Sequence, residues 1–119
     1  MPTYSGSCHC GSIAFEVDGE IGKVIECNCT HCQRKGLLLW FVSRDQFRLK
    51  TPRDRAAMST YQFNRHIIEH HFCPTCGVQP FADGKDPAGN EVASINVRCL
   101  EDIDLTTLTR VPYDGRHQN

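Results

Sequence analysis

No stretch of this sequence is long and apolar enough to cross a bilayer. The longest apolar run, Leu37–Val42, is six residues, against the roughly 20 that a membrane helix takes. There is no excess of charge either. Thirteen Lys and Arg stand against 14 Asp and Glu, for a formal net charge of −1 and a pI near 6.6. That leaves no basic footprint for nucleic acid. The opening Met1-Pro2-Thr3-Tyr4-Ser5-Gly6 has no basic stretch and no apolar segment, so it does not read as a secretion signal. The compartment expected is the cytoplasm, where disulfides are rare. Large side chains are few. Phe15, Trp40, Phe41, Phe47, Phe63, Phe72 and Phe81 suffice for one core and not for two. With 119 residues, the expectation is a single domain over residues 1–119 with a thin core. Structural metal is a common remedy for such a core. The sequence also lacks the 10–15-residue helical patterns of a βαβ fold.

What it does have is eight cysteines. Cys27, Cys29 and Cys32 are too close together to bridge one another without strain. Together with the expected reducing compartment, that argues against a disulfide scaffold. Seven of the eight fall in tight clusters, with Cys99 left outside as a buried thiol of no special role.

Around these clusters the chain reads as many short strands. Ser12–Val17 alternates polar and apolar, as a half-buried strand does, and Asp18-Gly19 is a turn signal. Lys23–Glu26 predicts a strand that delivers Cys27. Thr30–Lys35 predicts one helical turn ended by Gly36. Leu37–Val42 reads as a buried strand and Ser43–Gln46 as a turn. Phe47–Leu49, Met58–Phe63, Ile67–Phe72 and Val92–Val97 read as further strands, with Val78–Phe81 pairing back against Ile67–Phe72. Asp83–Asn90 reads as a surface loop. Asp102–Leu108 suits a short helix or an extended edge, and 112–119 a polar tail.

Each cluster has its own chemistry. Alternate residues of a strand share a face, so Cys8-His9-Cys10 predicts two sulfurs aimed the same way. Cys73-Pro74-Thr75-Cys76-Gly77 reads as a zinc knuckle, with two thiolates brought together and Gly77 allowing the tight backbone. Two plus two makes a closed Cys₄ site, which contributes folding energy directly. Cys27-Asn28-Cys29-Thr30-His31-Cys32 offers three thiolates from one segment. Three ligands with a fourth position left for water or substrate mark a catalytic zinc. On spacing alone, Cys73 and Cys76 could equally join Cys27 and Cys29. Three thiolates on zinc carry a formal charge of −1, which Arg34 and Lys35 could offset, and they could also attract an acidic substrate. Among the histidines, His9 should point away from its neighbours' metal. His31 is an alternative fourth ligand, though it sits beside Cys32. One of His70 and His71 suits a supporting contact to the knuckle. His66 and His117 carry no signal.

These motifs resemble the glutathione-dependent formaldehyde-activating enzyme family, also called the GFA or centromere-protein-V domain. The likeness runs from Gly6-Ser7-Cys8-His9-Cys10-Gly11 through Cys27–Gly36 and Phe72-Cys73-Pro74-Thr75-Cys76-Gly77 to Ser94–Leu100. It implies a mainly β fold of stacked short antiparallel sheets, a β-tent stapled by zinc. It also implies which cysteines pair: Cys8, Cys10, Cys73 and Cys76 on a structural zinc, and Cys27, Cys29 and Cys32 on a catalytic one, two Zn²⁺ per chain. The activity implied is that of a carbon–sulfur lyase joining a thiol such as glutathione to formaldehyde or a related small aldehyde. The alternative is a non-catalytic zinc module for partner binding, or glutathione-linked zinc handling. The expected partners are a small thiol and an aldehyde, with neither nucleic acid nor membrane. Exposed edge strands in a small β domain also suit a homodimer.

Overall fold

In the computed structural model, which describes residues 1–63, 65 and 67–117, the chain is mainly β and builds two sheets. The smaller has the order β1-β2-β5, from β1 (Thr3–Ser7), β2 (Ala14–Asp18) and β5 (Phe47–Thr51). The larger draws on β3 (Lys23–Cys27), β4 (Leu39–Ser43), β6 (Ser59–Tyr61) and β7 (Glu69–Phe72). It is completed by β8 (Phe81–Lys85), β9 (Glu91–Asn96) and β10 (Thr109–Tyr113). Its order is β10-β3-β4-β9-β8-β7-β6. The pairings are antiparallel except that of β10 with β3, which is parallel.

The core draws on both sheets. In β2 the alternation puts Phe15 and Val17 inside and leaves Ala14, Glu16 and Asp18 at half burial. Phe15, Phe47 and Phe81 form its aromatic centre, with ring centroids 5.3 Å apart for Phe15–Phe47 and 4.5 Å for Phe47–Phe81. Each ring fully buried is worth about 1.5–3 kcal/mol. The contact is close enough that a Cβ on Gly6 would strike the Phe15 ring.

Several local expectations change. Cys8-His9-Cys10 is not strand but the turn between β1 and β2. Cys8 faces the interior because its N–H bonds back to Ile13 O at 2.9 Å. Phe41 is 53% exposed, because Trp40 and Val42 take the inward positions of β4. Asp83 belongs to β8 and is only 3% exposed. The loop proper begins at Asp86, whose carboxylate accepts the N–H groups of Ala88 and Asn90. Residues 109–113, in part assigned to a polar tail, form β10. Asp102–Leu108 resolves into a short 3₁₀ turn at Leu105–Thr107. His66 and residues 118–119 lie outside the described residues.

Asp83 is the polar hub of the interior. Its carboxylate accepts from Arg55 Nε at 2.6 Å and His71 Nε2 at 2.8 Å, and Arg44 Nε lies 3.2 Å away. His71 Nδ1 meets the Thr60 hydroxyl at 2.9 Å, so both ring nitrogens are used. Glu69, His71 and Asp83 lie close enough to share a cation. Two guanidiniums on Asp83 already supply that charge, which makes the cluster an ion-pair hub.

Candidate metal centres

The first centre joins two distant turns. The sulfurs of Cys8, Cys10, Cys73 and Cys76 all lie within 4.8 Å of one another. Cys8–Cys10 is 3.7 Å and Cys10–Cys73 is 3.5 Å. Four thiolates around zinc at about 2.3 Å would be about 3.8 Å apart, so the set fits the ion. Backbone N–H groups are aimed at the sulfurs. Ile13 donates to Cys8 at 3.3 Å, and Thr75 and Cys76 both donate to Cys73 at 3.3 Å. Gly77 takes a φ of +81° to close the knuckle, and its N–H bonds Cys73 O at 2.9 Å. Ser12 adds a hydroxyl 3.1 Å from Cys73 and 3.2 Å from Cys10. That hydroxyl, then the knuckle N–H groups, pull the Cys73 thiol down to about 5.

The second centre is local. Cys27 ends β3, Cys29 caps the helix α1 (Thr30–Lys35), and Cys32 lies in its first turn. Their sulfurs also fall within 4.8 Å of one another, and no fourth His, Cys, Asp or Glu among the described residues joins them. Cys29 N–H points at Cys27 Sγ (3.4 Å), and Cys32 N–H at Cys29 Sγ (3.2 Å). Gly36 ends α1 in the left-handed region at φ +67°. Cys32 is buried against Leu37 and Leu39, with Ile25 alongside. Burial, followed by the neighbouring thiols, pushes Cys32 far above the ordinary thiol range, and burial also raises Cys27. Burial opposes ionisation of Cys29 as well, but the Cys32 N–H, the Cys32 and Cys27 thiols and the His31 N–H together outweigh it, and the thiol is lowered. The local environment thus favours the thiolate at Cys29 and disfavours it at Cys27 and Cys32. A bound cation is what lets all three ionise together, which is the donor chemistry of a zinc site.

His31 does not join this centre. Its ring stacks away, 4.2 Å from His70 and 5.1 Å from Phe63 between centroids, with Tyr61 beyond. Both His31 ring nitrogens are buried without a hydrogen-bond partner among the described residues. Neither His70 nor His71 supports the knuckle. His70 Nδ1 faces Gln79 Nε2 at 3.4 Å, and His71 serves Asp83. Cys99 stays outside both centres, beside Asn96 Nδ2 at 3.6 Å, and burial pushes its thiol up to about 11.

A strap made of β10 and residues 114–117 covers the second centre. Asn28 fastens it. Asn28 N–H donates to Tyr113 O (3.1 Å) and its Nδ2 to Asp114 (3.0 Å). Asn28 Oδ1 accepts Arg116 N–H at 3.0 Å, and Asn28 O accepts Arg116 Nε at 3.2 Å. A Cβ on Gly115 would lie 2.5 Å from Cys27 Sγ, so the strap backbone rests directly on that thiol. Of the predicted cations, Arg34 folds back onto Thr30 O at 3.0 Å. Lys35 donates to Gln79 Oε1 at 2.9 Å and lies 4.7 Å over the Phe72 ring.

Ser12, Asn28, Gly115 and Arg116 were not foreseen from the sequence. Asn28 stood in plain view between two ligands, but its partners lie 86 and 88 positions away. A surface groove of about 780 Å³ runs over Phe41, Arg44, Asp86 and Glu91 and includes neither cysteine cluster.

Residues 3–111 match the model of a family described as glutathione-dependent formaldehyde-activating enzyme. A crystal structure of a Rhodobacter sphaeroides protein shares the architecture, with a TM-score of 0.77 and 27% identity over 91% of this chain and 97% of that one.

Proposed function

The chain belongs to the glutathione-dependent formaldehyde-activating enzyme family. From that premise we propose that it is a carbon–sulfur lyase, joining a thiol such as glutathione to formaldehyde or a related small aldehyde. Residues 1–119 act as one zinc-stapled domain holding two Zn²⁺. Cys8, Cys10, Cys73 and Cys76 hold the structural ion, and Cys27, Cys29 and Cys32 the catalytic one. The observation that carries the reading is the ligand set of the second centre, which among the described residues stops at three. Zinc held there supplies the positive charge that favours the thiolate form of an incoming thiol.

The chain's own residues do the rest. Cys32, packed on Leu37 and Leu39, fixes one side of the centre, and Gly115 closes the side of Cys27. Lys35 is exposed and is held in place by its hydrogen bond to Gln79. In the reaction the thiol sulfur forms a bond to the aldehyde carbon while the carbonyl π bond opens. The thiol proton ends on the former carbonyl oxygen, so no oxidant or reductant is required.

The test is adduct exchange between formaldehyde and a panel of thiols, followed by NMR with zinc-loaded protein. Acceleration by wild type, lost in Cys32→Ser, is expected. Exchange no faster than in buffer for every thiol would refute the reading.

A second reading, a non-catalytic module or a zinc-handling site, draws on His31, whose buried ring nitrogens are unpartnered beside Cys32. That reading requires the His31 ring to leave its stack on His70 and Phe63 and turn to the fourth position. X-ray absorption separates the two: three sulfurs and one nitrogen favour the module, and three sulfurs with an exchangeable light atom favour the lyase.

A further inference from the structure

Five of the 13 cations of this chain have an acidic partner among the described residues. Arg44, Arg48, Lys50, Arg55 and Arg110 each pair with a carboxylate. Four others gather around the triad segment and its helix, and none of them pairs with a carboxylate among the described residues. They are held in place by neutral oxygens instead. Arg34 donates to Thr30 O and Lys35 to Gln79 Oε1. Arg98 Nε donates to Gly36 O at 2.9 Å, at the end of α1. Arg116 donates to Asn28 O and, through Nη2, to Gln33 Oε1 at 2.8 Å.

The simplest role for these charges is to offset the centre itself. Zinc on three thiolates has a formal charge of −1, and Asp114 adds one more negative charge. Four cations exceed that requirement, so positive charge is left over on this face of a chain whose net charge is −1.

Arg116 is the best placed to use it. Asn28 lies between Cys27 and Cys29, and Gln33 follows Cys32, so the guanidinium bridges both ends of the triad segment. Its strap is seated by the parallel β10–β3 pairing and by Gly115 against Cys27. Its Nε and Nη2 are spent on neutral acceptors, while Nη1 has no partner among the described residues. A side chain fixed in this way loses little rotamer freedom when it binds an anion.

We propose that Arg116 is the specificity-determining residue of this centre, docking a carboxylate of the thiol substrate beside the three cysteines. The proposal rests on the lyase reading for its substrate, and it predicts that the preferred thiol is anionic.

The test compares 3-mercaptopropionate with 2-mercaptoethanol, thiols of similar size with and without a carboxylate. Binding is read by calorimetry on the zinc-loaded protein at low and high salt, and adduct exchange with formaldehyde is read in parallel. Wild type is expected to bind the anionic thiol at least tenfold more tightly, with the preference shrinking as salt rises. Arg116→Gln, which keeps hydrogen-bonding capacity without charge, should lose the anionic preference about tenfold while binding of 2-mercaptoethanol stays within about twofold. Arg116→Lys should fall between them. An equal loss for both thiols means that Arg116 only braces the loop, and overturns the proposal. So does a wild type without anionic preference, a result that needs no variant to fold. Anionic preference without adduct exchange would leave the docking role standing and remove the lyase reading.

Discussion

Replacing Asp83 by Asn keeps the shape of the interior hub and removes its charge. The carboxylate is 3% exposed and lies beside His71, which is 2% exposed, and the Arg55 and Arg44 guanidiniums. The three partners will not suffer equally. Arg44 keeps Glu91 and the carbonyls of Gly84 and Val92. Arg55 has a side chain 37% exposed and lies over the Phe47 and Phe81 rings, so water relieves part of its loss. His71 has no such outlet.

An uncompensated buried partner costs about 3–5 kcal/mol when an ion network is broken, and partial relief at Arg55 puts Asp83→Asn near the lower end. At about 3–6 °C per kcal/mol for a chain of this size, the melting temperature should fall by about 10–15 °C. The assay is denaturant unfolding with saturating zinc at pH 7, so that metal loss does not intrude. The pH dependence adds a second check. Burial opposes the charge, but His71 and Arg55 outweigh it and hold the Asp83 carboxyl below its usual range. A depressed carboxyl stabilises above the unfolded value, about 4, and that contribution fades as pH falls through the lower folded value. The gap between wild type and Asp83→Asn should therefore narrow in acid. A cost under about 1 kcal/mol at pH 7, or a gap that widens in acid, would refute the hub as described.

Three further outcomes follow from the same geometry. Wild type should carry two equivalents of zinc by elemental analysis; Cys32→Ser should retain one with its fold intact, whereas Cys73→Ser should unfold on losing the clamp. Gly115→Ala places a methyl 2.5 Å from Cys27 Sγ and should displace the strap at a cost of about 1–3 kcal/mol, read as faster labelling of Cys27 by a thiol reagent in protein that keeps the clamp zinc and has lost the one at the triad. His70 is pushed down to about 4, first by burial and then by His31 and Lys35. Its imidazole should stay neutral in an NMR titration until well below pH 6, and a midpoint near 6.5 would contradict the packing. Because the folded value is the lower one, His70 should cost stability progressively as pH falls from about 6.5 toward 4.

Much of the site was legible because cysteine spacing is a local signal. Cys73-Pro74-Thr75-Cys76-Gly77 and the segment Cys27–Cys32 fix their own geometry within a turn, and in both the sulfurs converge as the spacing predicts. The alternation of Phe15 and Val17 likewise names its own inner face. The errors arose where a residue's role depends on distant chain. Phe41 and Trp40 are adjacent and both aromatic, and only the register of β4 against β9 decides which one faces the core. Asp83 sits in a stretch rich in Gly, Pro and Asp, and its burial depends on Arg55 and Arg44 from other elements. Cys8 and Cys10 converge through a turn, since a CxC pair can present both sulfurs to one side without being extended. The strap was unreadable because nothing in residues 109–117 refers to Asn28 until the two are side by side.

That separation has a consequence for the order in which the molecule matures. Cys27, Cys29 and Cys32 leave the ribosome together and can capture a metal at once. The clamp must wait for Cys76, and the cover over the triad must wait for Arg116, 88 positions after its partner Asn28. Contacts so far apart in the chain form late. The triad is thus the first cluster able to load and the last to be closed. During that interval it is open to whatever thiols and metal ions surround the nascent chain.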